Sequence, residues 1–97
     1  MKLRFLEPAS AELAEAISYY EEQLTGLGGI FEQEVRAALR RIQLYPHAWH
    51  PLSRRTRTYR LRRFPFGVIY EAREKEILIV AIAHQHRRPE YWKRRTP

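Results

Sequence analysis

The feature that most constrains this fold is a strand-length run, residues 76–85, that is apolar at both alternating positions. One parity holds Ile77, Ile79 and Ala81, and the other holds Leu78, Val80 and Ile82. A strand with one solvent-exposed face would alternate apolar and polar residues, so this pattern predicts a central strand covered on both faces. Such a strand needs neighbours, which the rest of the chain must supply.

Two segments with helical periodicity precede that strand. The first has apolar residues spaced along one helix face, namely Leu13, Ile17, Tyr20 and Leu24. It predicts a helix over about residues 8–25, with Pro8 in the first turn. Gly26, Gly28 and Gly29 then break the pattern. A second face runs Phe31, Val35, Ala38 and Ile42 until Pro46, so the two segments are predicted to form a helical hairpin.

Short β-segments flank the hairpin. Residues 2–6 predict a first strand, and residues 46–56 predict a surface loop that Trp49 pins to the core. Three further strands are expected, at Thr58–Arg62, Phe66–Ala72 and Glu76–Gln85. The order β-α-α-β-β-β predicts an α+β fold in which the helical hairpin packs on one face of an antiparallel β-sheet. A short basic segment follows at the C-terminus.

Composition bounds the class of protein. The chain has 97 residues and no cysteine, which predicts a single domain over residues 1–97 without disulfides, thiolate zinc sites or cysteine nucleophiles. A reducing cytoplasm is the expected compartment. The longest apolar run is far shorter than a membrane span, and residues 1–8 lack the apolar core of a secretory signal. We therefore expect no membrane partner, no cofactor and no metal.

Charge is divided unequally between the two halves. Residues 1–50 carry five Lys and Arg against seven Glu, whereas residues 51–97 carry thirteen against four. The net charge of +7 therefore comes entirely from the second half. A potential of this kind attracts polyanions, which favours nucleic acid or an acidic protein as partner.

We expect the last three strands to gather the surplus positive charge into a single docking surface, on the sheet face opposite the hairpin. Guanidinium groups there could stabilise the charge that develops when an RNA phosphodiester is cleaved, and a histidine or tyrosine could move protons. The candidate catalytic residues, if the protein is a nuclease, are Arg60, Arg62, His86, Arg87 and Tyr91. The alternatives are a solvated arginine face and, for Tyr91 and Trp92, an anchoring role. A metal site joining His84 and His86 to His47 or His50 is a weaker alternative.

Several segments, in this order and spacing, resemble the RelE/ParE superfamily of type II toxin–antitoxin toxins. They include Ala16-Ile17-Ser18-Tyr19-Tyr20-Glu21, Gly26-Leu27-Gly28, Phe31-Glu32-Gln33-Glu34-Val35, Tyr59-Arg60-Leu61, Phe64-Pro65-Phe66-Gly67-Val68-Ile69-Tyr70, Ala81-Ile82-Ala83-His84 and Arg87-Arg88-Pro89-Glu90-Tyr91-Trp92. The resemblance implies a small cytoplasmic toxin that inhibits growth and is neutralised by a cognate antitoxin. It is also compatible with a homodimer inside the toxin–antitoxin complex. The cations expected to bind the target or the antitoxin are Arg57, Arg63, Arg88, Lys93, Arg94 and Arg95.

Two mechanisms occur in this superfamily. RelE-like members cleave mRNA on the ribosome without a metal, whereas ParE-like members poison DNA gyrase. Arg60, Arg62 and Arg87 fall where the RelE branch has catalytic cations. Gly67 replaces its phosphate-stabilising arginine, however, and Lys93 falls on its catalytic tyrosine, with Tyr91 two residues early. We therefore expect a ParE-like gyrase poison; the alternatives are a ribosome-dependent mRNA endoribonuclease and a non-toxic RNA-binding module.

Overall fold

The order of helices and strands confirms the predicted α+β arrangement. In the computed structural model, which describes residues 1–96, a helical hairpin follows the first strand and precedes the remaining strands. The elements are β1 (Lys2–Phe5), α1 (Glu7–Gln23), α2 (Leu27–Leu44), β2 (His50–Pro51), β3 (Thr56–Arg60), β4 (Phe66–Ala72), β5 (Glu76–His84) and a 3-10 turn (Lys93–Arg95). Across these residues no helix combines the length and apolarity needed to cross a bilayer.

The sheet is mixed, which corrects the expectation of a purely antiparallel one. Its strand order is β1-β5-β4-β3-β2, and β1 runs parallel to β5 while every other pair is antiparallel. A parallel pair needs a long crossover, and the chain between Phe5 and Glu76 supplies it. No local pattern encodes the direction of a strand that pairs more than 70 residues away.

β3 ends two residues earlier than predicted. Leu61 is buried, and the backbone N–H groups of Arg62 and Arg63 donate to Glu34 of α2 at 2.7 and 3.1 Å, so the chain bends towards α2 after Arg60. The predicted loop before β3 contains the two-residue strand β2, whose Pro51 is tolerated at the sheet edge. Trp49 packs edge-on against Tyr59 at 4.6 Å, which confirms that it pins this loop.

The main core lies between the hairpin and the sheet. Phe31, Val35 and Ile42 of α2 are fully buried against the hairpin-facing side of β4 and β5. Aromatic contacts close one end of this core, where Phe31 meets the rings of Phe64 and Phe66 at 5.0 and 5.1 Å.

A smaller apolar cluster covers the other face of the sheet. It contains Ile69, Leu78, Val80 and Ala81, and Trp92 of the C-terminal segment packs on it with 8% of its surface exposed. The β4–β5 register shifts at Ile69/Tyr70, so Val80 and Ala81 both contribute to this cluster while Ile82 returns to the main core. The prediction that β5 is covered on both faces is therefore confirmed.

Candidate functional site

A groove of about 580 Å³ lies where β3 ends, β4 begins and β5 ends. Antiparallel pairing places Arg60 opposite Gly67 and Gly67 opposite Ala83, which brings these three strand ends together. The groove has an apolar floor and a cationic rim. Its apolar lining includes Leu52, Phe66, Ile69 and Trp92, and its cationic and histidine lining includes Arg60, His84, His86, Arg87 and Arg88. This combination suits an acidic, amphipathic ligand.

The structure gathers some of the predicted site residues and separates others. Arg60, His86, Arg87, Arg88 and Tyr91 all line the groove. Arg62, expected beside Arg60, follows the bend instead, and its backbone N–H donates to Glu34 of α2 at 2.7 Å. Arg63 also binds Glu34, with Nε 2.9 Å from Oε1. The prediction that Arg60 and Arg62 lie in one row is therefore wrong, because β3 ends at Arg60 and the alternation of its side chains does not continue to Arg62.

The remaining cations do not form one surface. Arg57 lies at the opposite end of the sheet, where its Nη1 donates to the Trp49 carbonyl oxygen at 2.8 Å. Lys93 pairs with the exposed Glu90, and Arg94 is exposed on the C-terminal turn. Arg95 is only 19% exposed and is bound to Glu12. The expected gathering of the second-half charge into a single patch is therefore wrong.

The carboxylate of Glu12, in α1, holds the C-terminal segment in place. Its oxygens accept hydrogen bonds from Arg95 Nη1 and Nη2 at 2.9 and 2.8 Å, and Oε1 also accepts from the Ile82 N–H at 3.0 Å. Burial acts to raise the pKa of Glu12, but hydrogen bonds from Arg95, Tyr91 and Ile82 outweigh it and leave the pKa below its ordinary value. The sequence carries no local signal for this role, since the partners lie 70 to 83 residues away.

Tyr91, a candidate for proton transfer, also forms a hydrogen bond with Glu12. Its hydroxyl donates to Glu12 Oε2 at 2.7 Å. Burial, reinforced by this hydrogen bond and by the Glu12 charge, raises the pKa of Tyr91 well above its usual range. The guanidinium carbon of Arg87 lies 3.9 Å from the ring centroid, and that of Arg95 lies 4.9 Å away. The ring is thus a platform that orients Arg87 at the groove, while the phenol is poorly suited to accept a proton at neutral pH.

Gly67 stands where the resemblance places a phosphate-stabilising arginine of the nuclease branch. A Cβ built at Gly67 would come within 2.7 Å of Thr58 Oγ1 on the neighbouring strand. Any side chain here therefore requires Thr58 to move. At position 67 the strands β3 and β4 are therefore packed closely together, where the resemblance places the charged donor of the nuclease branch.

At the end of β5, the ring centroids of His84 and His86 lie 5.2 Å apart. His84 also packs edge-on against Phe66 at 5.0 Å, and its Nδ1 accepts the backbone N–H of His86 at 3.0 Å. His47, a suggested third ligand, lines the cleft at the other end of the sheet. Throughout the described part of the chain, no three His, Asp or Glu side chains lie close enough to hold a metal ion.

Comparison with known proteins agrees with this fold. A family model described as "ParE toxin of type II toxin-antitoxin system, parDE" matches residues 3–89. A solved chain from the chromosomal ParDE TA system of P. aeruginosa is 20% identical, with a TM-score of 0.64 over 87% of this chain and 95% of that one. A search of curated proteins gave no match. The chain therefore belongs to the ParE toxin family of type II toxin–antitoxin systems, whose toxins are paired with a cognate antitoxin.

Proposed function

We propose that this chain acts, as one domain over residues 1–97, as a cytoplasmic poison of DNA gyrase that its cognate antitoxin neutralises. The observation that carries the proposal is the groove at the strand ends. It offers cations above an apolar floor, which is binding chemistry for a protein segment. Tyr91, which lines the groove, is hydrogen-bonded to Glu12 and is therefore poorly placed to transfer the protons that RNA cleavage needs, which favours a poison over a nuclease.

The groove also suits the antitoxin. An acidic, amphipathic antitoxin segment could pair its carboxylates with Arg60 and Arg87 while burying apolar residues on Phe66 and Trp92. Antitoxin and gyrase would then compete for the same residues, which gives neutralisation a physical basis. A homodimer within the toxin–antitoxin complex belongs to this proposal, and light scattering of the purified complex measures it.

A ribosome-dependent endoribonuclease is the second candidate. It is favoured by the proximity of His84 and His86 to Arg60 and Arg87 along the groove, since imidazole can move protons and guanidinium can stabilise a phosphorane. It is disfavoured by Gly67, because the loss of one charge-stabilising donor typically lowers a rate by about 10²- to 10³-fold.

Induced expression in a bacterium separates the two. We expect growth arrest with induction of a DNA-damage reporter, and primer extension of translated mRNA without new cuts. The variant Arg60→Gln/Arg87→Gln should lose both the arrest and the reporter signal. Arg36→Gln/Arg40→Gln, which removes two exposed helix cations outside the groove, is the matched control. In-frame cuts in translated mRNA without DNA damage would instead establish the nuclease.

A further inference from the structure

A second cleft, of about 460 Å³, opens at the end of the sheet opposite the groove, where β3 begins and β4 ends. Its lining includes four arginines, Arg54, Arg55, Arg57 and Arg73, with His47 beside them. Two glutamates, Glu71 and Glu74, also contribute. The cleft therefore carries a positive excess that the groove-based function does not use.

The ion pairs of the cleft involve Arg73, so the excess positive charge lies on Arg54, Arg55 and Arg57. Arg73 forms ion pairs with Glu71 at 2.8 Å and with Glu76 at 3.5 Å, so these carboxylates largely neutralise its charge. Arg54 and Arg55 are exposed on the turn before β3. Arg57 is half-buried, and its bond to the Trp49 carbonyl oxygen uses one guanidinium nitrogen and fixes the direction of the side chain.

The turn that presents Arg54 and Arg55 is locally ordered. The hydroxyl of Ser53 accepts the backbone N–H of Arg55 at 3.3 Å and that of Thr56 at 3.2 Å. Ser53 Oγ and Thr56 Oγ1 share a further hydrogen bond at 2.6 Å. Because this backbone is already fixed, less conformational entropy is lost when a ligand binds at its tip.

The chemistry of the lining indicates the ligand. Guanidinium groups suit phosphate, which they bind in a bidentate manner. Among the described residues that line the cleft, Ala72 is the one apolar side chain, so a protein partner would find no buried anchor. None is Phe, Tyr or Trp, so unpaired bases would find no stacking platform. Polar surfaces with an excess of positive charge are characteristic of protein–DNA interfaces.

We propose that this cleft binds the phosphate backbone of duplex DNA, separately from the groove. Arg54 and Arg55 contact phosphates from the ordered turn, and Arg57 supplies a third cation from the wall. Such contacts give binding that does not depend on base sequence and that weakens steeply as salt rises.

Fluorescence anisotropy of a labelled 20-base-pair duplex with the full-length chain tests this site. Arg54→Gln/Arg55→Gln should weaken binding about ten-fold at low salt. It should also reduce the slope of log K against log salt by about 1.8, because each lost phosphate contact removes about 0.9. The matched control, Lys2→Gln/Arg40→Gln, removes the same charge from exposed positions outside the cleft and should keep the wild-type slope. Equal slopes for the two double variants would overturn the proposal.

Two further arms identify the source of the anion. The loss of affinity caused by Arg54→Gln/Arg55→Gln should be larger for the duplex than for single-stranded RNA of equal length or for polyglutamate, a comparison that leaves out any binding at the groove. A larger loss for either of these two would overturn the assignment to duplex DNA. Thermal unfolding checks that the variants fold; if the double variant does not, each single substitution should lower the slope by about 0.9. The assay contains no gyrase, so its outcome is independent of the proposed target.

Discussion

Glu12 connects three parts of the protein through a single carboxylate. It joins α1 to the Ile82 N–H in β5, and to Tyr91 and Arg95 in the C-terminal segment. Tyr91 in turn supports Arg87 at the groove. We therefore expect Tyr91 to contribute to the site by positioning Arg87, with its ring mattering more than its hydroxyl.

Substitution of Tyr91 separates these two contributions. Tyr91→Phe removes the hydroxyl but keeps the ring under Arg87, and should lower the free energy of unfolding by about 1 kcal/mol. Tyr91→Leu removes the ring, so growth inhibition should fall more for Tyr91→Leu than for Tyr91→Phe. Growth curves at matched soluble expression measure this order. The reverse order would indicate that the hydroxyl takes part in chemistry.

The lowered pKa of Glu12 predicts how stability depends on pH. Its carboxylate stabilises the fold above its unfolded pKa, about 4.3, and this contribution is lost as pH falls through the lower folded pKa. At pH 7, Glu12→Gln should therefore reduce the free energy of unfolding by about 2 kcal/mol. The difference from wild type should shrink below about pH 4.

Urea unfolding over a pH series measures this difference. Glu15→Gln, an exposed position three residues along the same helix, is the control and should follow the wild-type curve closely. A difference between Glu12→Gln and wild type that stays constant down to pH 2 would contradict the role assigned to the Glu12 carboxylate.

At the scale of the elements, the helical hairpin depends on the close approach of α1 and α2. A Cβ at Gly28 would lie 2.6 Å from the Ile17 carbonyl oxygen, which is backbone and cannot swing away. The carboxylate of Glu21 also accepts the N–H groups of Gly26 and Gly28, at 2.9 and 3.1 Å, and so ties the turn to the end of α1. Only glycine at position 28 permits this contact.

Gly28→Ala should therefore destabilise the protein by about 1–3 kcal/mol, because the helices must separate or the turn must shift. Gly29 is the matched control, since a Cβ there meets nothing within 4 Å. Gly29→Ala should be neutral or stabilising by up to about 1 kcal/mol, owing to its better helix propensity. Thermal unfolding compares the two, and equal effects would contradict the packing account.

The hairpin and β5 could be predicted because their patterns are local: each helix has one apolar face, and β5 is apolar at both alternating positions. Local patterns did not predict the direction of β1, which is set by a partner more than 70 residues away, or the end of β3, which is set by Leu61 and Glu34. At the site, the strand ends predicted Arg60 and Arg87 in one groove. Glu12 was missed, because charge and spacing in α1 resemble those of any solvated helix face.

For the whole molecule, cations of the basic half line clefts at both ends of one sheet. The groove adds apolar surface to its cations and suits a protein segment, whereas the second cleft is almost entirely polar and suits phosphate. A toxin built this way could contact a protein and its bound DNA through different surfaces. Arg95 lies in neither place, and its ion pair with Glu12 fixes the C-terminal segment.

The proposed target is tested most directly by a cleavage assay with purified gyrase, circular DNA and the full-length toxin. We expect the toxin to trap covalent gyrase–DNA complexes, seen as linear DNA after protein denaturation and digestion. Arg60→Gln/Arg87→Gln should reduce the linear product at least about ten-fold, as expected for the loss of two charge-assisted contacts. Arg36→Gln/Arg40→Gln should match wild type. No linear DNA above the toxin-free level, with a toxin that still arrests growth, would contradict gyrase as the target.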